Sequence, residues 1–239
     1  MLVAGLLAFM PMSYTNWGRY TQLTGQAILP AAACIAWLAL ERPLDWRLQG
    51  LGWIALAGLG LTHYRVLLFL LPFFMAYLLL HAVWAHKLTL RSLLALSTGA
   101  ALLFMPWFAH VFAGNILRIV TKQVIISSQA VAGWAETADP IGSLTSYLPT
   151  MLWLALPLCI AWGFWRRERN MALFVLWWFL VFLEVNPALL GLPGAGTITN
   201  FALFIAFYLP AGVLIGLGAG WLVEWIRDRA GVGVVCTLL

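Results

Sequence analysis

Charge is what this sequence has least of. Only 9% of its 239 residues are Asp, Glu, Lys or Arg, against roughly 25% in a soluble domain. A soluble fold of this length must cover its surface with polar side chains, and too few are present, so that class is excluded. Cysteine occurs three times and histidine four times. No pairing of Cys with His has a zinc-ligand spacing, which speaks against a metal centre. Cys34, Cys159 and Cys236 each fall inside an apolar run and read as small buried hydrophobes. The basic residues form no stripe and no basic helix. The net charge of +5 is therefore no sign of a nucleic-acid partner. Neither a low-complexity segment nor an internal repeat is visible.

Apolar runs take the place of the missing charge. Hydrophobic residues make up 64% of the chain, and runs near 20 residues long, enough to cross a hydrocarbon core of about 30 Å, recur along it. They predict spans over roughly 23–40, 48–63, 66–84, 92–112, 147–165, 171–186 and 200–223, with partial ones at Met1–Met12 and Gly231–Leu239. The expected fold class is all-α: a polytopic transmembrane helix bundle of about seven full spans plus partial spans at both ends. The chain reads as one integral-membrane domain over 1–239, in the plasma membrane, and as a piece of a longer protein. Trp17, Trp46, Trp84, Trp134, Trp165, Trp221 and Trp225 lie near run ends, where an amphipathic ring prefers to sit.

Charge asymmetry orients the spans. One set of loops carries Arg42, Arg47, Lys87, Arg91, Arg166, Arg167, Arg169, Arg227 and Arg229; the other carries Arg19, Arg65, Arg118 and Lys122. The richer set is expected in the cytoplasm. The alternation requires 48–63 and 66–84 to meet in a tight outer turn at Thr62-His63-Tyr64-Arg65. A single long helix would instead hold an Arg at mid-membrane, at a cost of about 2.5–3.5 kcal/mol.

Chemistry, on this topology, belongs at the outer face. Asn16, Trp17, Tyr20 and Gln22 mix amides with aromatics, as sugar binding requires, with Gln26 one turn further in. Trp and Tyr also belong at any membrane interface, so a plain aromatic belt stays open. Arg19 and Arg65 offer planar forks of donors suited to phosphate, and His63 beside Arg65 could share a proton or a hydrogen bond. Snorkelling to lipid headgroups is the bland alternative. The outer loop 113–146 opens on an amphipathic stretch over 115–126, expected to lie on the membrane. Arg118 and Lys122 project together from its polar face, as phosphate contacts or headgroup anchors. Glu136, Asp139 and Glu184 are weak candidates for a catalytic carboxylate. Glu184 earns its place by ending an apolar run. The turn at 191–200 is Gly- and Pro-rich, without a complete phosphate-binding fingerprint.

Asn16-Trp17-Gly18-Arg19-Tyr20-Thr21-Gln22, Leu61-Thr62-His63-Tyr64-Arg65 and the Gly-Pro turn before Thr199-Asn200 together resemble the C-terminal membrane portion of bacterial GT-C-type glycosyltransferase-like proteins. That group includes the protein mannosyltransferase and aminoarabinose transferase families. The resemblance implies a sugar donor carried on a polyprenyl phosphate, with no cofactor. It also implies a catalytic acid in a first outer loop, and nothing here matches that loop. On this reading the chain carries donor-binding and scaffold parts. Expected partners are membrane lipids, the lipid-phosphate sugar donor and a partner subunit, with no nucleic acid. The alternatives are a multi-span transporter or lipid flippase, for which Pro72, Pro106, Pro157 and Pro210 could break helices, and a non-catalytic membrane subunit.

Overall fold

The computed structural model describes residues 7–10, 13, 18, 20–81, 86–112, 143–192 and 198–230, with backbone only at 86–88 and 230. Its elements are α1 (Tyr20–Glu41), α2 (Trp46–Thr62), α3 (Tyr64–Leu68), α4 (Leu71–His81), α5 (His86–Phe112), α6 (Thr150–Trp165), α7 (Arg169–Val185), α8 (Asn200–Ala206) and α9 (Tyr208–Ala230). Short 3-10 turns occupy Leu144–Ser146 and Pro187–Leu190. No strand occurs among the described residues, and the fold is all-α.

Four stretches are long and apolar enough to cross a membrane: Tyr20–Glu41, Tyr64–His81, Thr89–Val111 and Asn200–Arg229. The chain is a multi-pass protein of the plasma membrane. The count of seven full spans is not reached on this measure. Helices α2, α6 and α7 have 17, 16 and 17 residues. At 1.5 Å per residue these lengths give about 25 Å, short of a core of about 30 Å.

Local signals explain the boundaries. Asp45 caps α2, its carboxylate accepting from the backbone N–H groups of Arg47 (3.0 Å) and Leu48 (3.3 Å). Thr199 caps α8 by accepting from Ala202 N–H at 3.2 Å. Proline sets two interruptions. A helical proline clashes with the carbonyl four residues back and offers it no N–H. Pro72 faces Leu68 in this way, and α3 ends at Leu68; Pro210 faces Ala206, and α8 ends at Ala206. The indole N–H of Trp177 meets the Phe69 carbonyl in the first break at 2.6 Å. Pro106 and Pro157 stay inside continuous helices. Of the four prolines expected to break helices, two do so.

Successive spans run antiparallel, with α3 and α4, and α8 and α9, each continuing one span, and contacts fix which ends meet. Gln49 Nε2 on α2 donates to the Ala39 carbonyl (3.0 Å) and to Ser92 Oγ (2.6 Å), and Ser92 Oγ donates to the same carbonyl (2.9 Å). This knot ties α1, α2 and α5 at one end. At that same end Tyr77 OH donates to Glu41 at 2.8 Å. The other end holds Tyr20, His63, Val185 and Asn200. These are called the Glu41 end and the His63 end. Two apolar clusters fill the bundle. One joins α1, α2, α3, α4, α5, α7 and most of α8, the other α6, α9, Met171 of α7 and Ile205 of α8, and Phe174 of α7 packs against both.

Small residues permit the closest approaches. At Gly99 on α5 a Cβ would collide with the Trp53 ring of α2. One expectation is corrected here. Cys34 is exposed on α1 and Cys159 is only half-buried. An apolar run does not reveal which of its faces meets lipid and which meets protein, so burial could not be read from it.

Candidate functional site

The His63 end is built on one face of α1. Gln22, Gly25, Gln26 and Leu29 follow the i, i+3, i+4, i+7 spacing that puts residues on one side of a helix, and all four are buried. Gly25 eases the contact there. A Cβ at this position would stand 3.0 Å from His63 Cβ and 3.2 Å from a Val66 methyl. The missing side chain lets α1 pack tightly onto the turn that joins α2 to α3. The two carboxamides flanking Gly25 are thereby carried to that turn.

The turn itself is one residue long. His63 has extended backbone angles, ending α2 and preceding α3. Its ring lies parallel to that of Tyr64, with centroids 6.1 Å apart. Its Nδ1 is buried and has no hydrogen-bond partner among the described residues. Burial first, and the neighbouring Arg65 guanidinium second, hold the imidazole below its ordinary value of 6.5. Arg65 projects outward. Its Nε donates to Tyr64 OH at 3.2 Å and its guanidinium carbon lies 5.7 Å from the Tyr64 ring centroid. The guanidinium is thus braced on an aromatic face while remaining exposed.

Beneath the turn, Gln26 is fully buried. Its Oε1 accepts from Tyr208 OH at 3.4 Å, and its Nε2 has no partner among the described residues. Tyr208 is the first residue of α9, just past the second proline break. On the far side, Asn186 and Asn200 exchange two amide hydrogen bonds of 2.9 Å each, closing the end of α7 onto the start of α8. Glu184, one turn inside, has one carboxylate oxygen buried with no partner among the described residues.

Of the residues singled out in the sequence, His63, Arg65 and Gln22 gather at this end. Tyr20 does not join Gln22. Two residues along a helix turn the side chain to the opposite face, and Tyr20 is 62% exposed while Gln22 is buried. Asn16, Trp17, Arg19, Arg118, Lys122, Glu136 and Asp139, and the amphipathic stretch 115–126, lie outside the described residues. No group of three His, Cys, Asp or Glu side chains able to hold a metal occurs among the described residues.

Sequence reasoning missed two features. Tyr208 lies in a long apolar run, and its pairing with a glutamine 182 positions away has no local signal. At the Glu41 end, Glu41 accepts from Trp37 Nε1 (3.3 Å) and Tyr77 OH, with His81 Nε2 at 3.9 Å and the His81 ring stacked on Tyr77. Only the four-residue spacing of Trp37 and Glu41 hinted at it.

Comparison with known protein families, with curated proteins and with solved structures gives no match to this chain.

Proposed function

We propose that this multi-span membrane protein is GT-C-type glycosyltransferase-like and takes a polyprenyl-phosphate-linked sugar at the His63 end, with that end on the outer face. One observation carries the reading: Gly25 lets the Gln22–Gln26 face of α1 close onto the His63–Arg65 turn. An exposed guanidinium and buried carboxamides thereby share one end of an apolar bundle. A lipid-phosphate sugar has three parts with matching needs. Its tail partitions into the bilayer, its phosphate suits the fork of Arg65, and its hydroxyls suit amides. Arg19, Arg118 and Lys122 are the further candidate phosphate contacts, and Asn16 and Trp17 the further sugar contacts. A carboxylate for catalysis is not assigned, and Glu184, Glu136 and Asp139 stay as candidates.

The deciding substitution pair is Arg65→Lys beside Arg65→Ala, read by polyprenyl-phosphate binding to the protein in lipid nanodiscs. A charge-assisted bond to phosphate contributes about 1.5–3 kcal/mol. Its loss weakens binding roughly ten- to a hundred-fold. Lys, a point charge without the fork, restores only part of this. Parental binding by both variants, with normal folding, removes Arg65 from the site and makes it a topology residue.

The second reading, a transporter or flippase, is favoured by the paired proline breaks, since interrupted helices line many transport sites. Sugar transfer from lipid phosphate, measured beside flux into liposomes, separates the two readings.

A further inference from the structure

Tyr208 and Gln26 form an unfinished pairing. A primary carboxamide presents an acceptor oxygen and two N–H donors in one plane. In Gln26 the oxygen has one partner, Tyr208 OH, at 3.4 Å, beyond the ordinary range for hydroxyl bonds. The donor side has none among the described residues, and the residue is fully buried. Inside a bilayer no bulk water compensates such a group. Tyr208 follows Phe207, which has aromatic neighbours of its own. Phe207 stacks on Trp153, with centroids 5.1 Å apart and planes 14° apart, and meets Trp178 edge-on at 6.4 Å. Phe207 is also the joint between α8 and α9, outside both helices. The residue that holds Gln26 thus begins a helix at a proline-imposed break.

We propose that Gln26 is a specificity-determining residue that reads a vicinal diol on the sugar; this rests on the lipid-linked sugar reading and deepens it. One ligand hydroxyl donates to Oε1 in place of Tyr208 OH, and its neighbour accepts from Nε2. This two-point pairing satisfies both halves of the amide at once, which the single tyrosine hydroxyl does not. The other ligand classes fit less well. A cation would find one amide oxygen and no carboxylate in the pair. A phosphate would find no positive charge in it, and belongs beside Arg65 at the turn above.

The test uses the protein in nanodiscs and three kinds of probe: bare decaprenyl phosphate; decaprenyl phosphate carrying mannose, glucose or arabinose; and the same glycolipids with the vicinal hydroxyls methylated. At least one free glycolipid should bind about tenfold more tightly than its methylated form, the gain expected of two neutral hydrogen bonds. Gln26→Leu should bind all three kinds equally, at the affinity of the bare lipid. Gln26→Met, similar in size but without either amide group, should lose the preference too and serves if Gln26→Leu does not fold. Tyr208→Phe should keep it. A preference that survives in Gln26→Leu or Gln26→Met, or a parent that binds every glycolipid like its methylated form, overturns the diol site while bare-lipid binding leaves the phosphate reading standing. No binding of bare lipid or glycolipid overturns both.

Discussion

His63 shows how a single turn residue acquires a chemical character from its surroundings. The imidazole sits beside an obligate cation, with Nδ1 shut away from water. Protonation would add a second positive charge to a poorly solvated place. The folded protein therefore binds that proton less readily than the unfolded chain, so acid favours unfolding through this group. The sign follows directly. The contribution of His63 is fully present above the ordinary histidine value of 6.5 and is lost as pH falls from there through the lower folded value. Thermal unfolding in detergent, followed from pH 7.5 down to pH 5, should show a loss of stability in the parent that is smaller in His63→Gln. Equal losses in both proteins would mean that His63 takes no part in the acid response.

Proline placement governs the elements at this same end. Helices α3 and α8 both start at the His63 end, and each stops four residues before a proline. The first break is held by Trp177, whose indole N–H donates to the Phe69 carbonyl. Ala at position 72 restores an N–H to the Leu68 carbonyl and removes the ring clash. Pro72→Ala is then expected to join α3 to α4. Spin labels at Tyr64 and Met75 would report it, because one straight helix separates those positions by about 16 Å along its axis. The measured distance should lengthen toward that of a straight helix on substitution. An unchanged distance would show that packing against α7, rather than the proline, imposes the break.

The whole molecule is polarised along its axis. Among the described side chains, Arg42, Arg47, Arg91, Arg166, Arg167, Arg169, Arg227 and Arg229 belong to the Glu41 end, and Arg65 to the His63 end. Several of the first group sit over indole rings: Arg47 over Trp46 at 5.7 Å, Arg166 over Trp221 at 5.8 Å and Arg229 over Trp225 at 4.7 Å. Arginine braced on tryptophan at one end of a bundle matches an interfacial belt on a cytoplasmic face. Single cysteines at Ser128 and Glu168, in a background without Cys34, Cys159 and Cys236, should therefore react with an impermeant reagent from opposite sides of the membrane. Labelling of both from one side would discard this orientation, and with it an outward-facing Arg65.

Membrane class, all-α fold and the tight turn at His63 were all determined by the sequence. Each depends on a local property: apolar run length, scarcity of charge, or the cost of an Arg at mid-bilayer. The proline breaks were half legible for the same reason. A proline announces a clash, but neighbouring contacts decide whether the helix gives way, as at Pro72 and Pro210, or continues, as at Pro106 and Pro157. The facing of each helix was not legible. In a soluble protein, polarity marks the outside, but here lipid and protein interior are equally apolar. Cys34 was therefore misread as buried, and Tyr20 and Gln22 were grouped although they point to opposite sides. Tertiary structure alone decided that Gly25 lets α1 reach His63 and that Tyr208 meets Gln26. Such contacts depend on which helices lie side by side, and hydropathy carries no record of that choice.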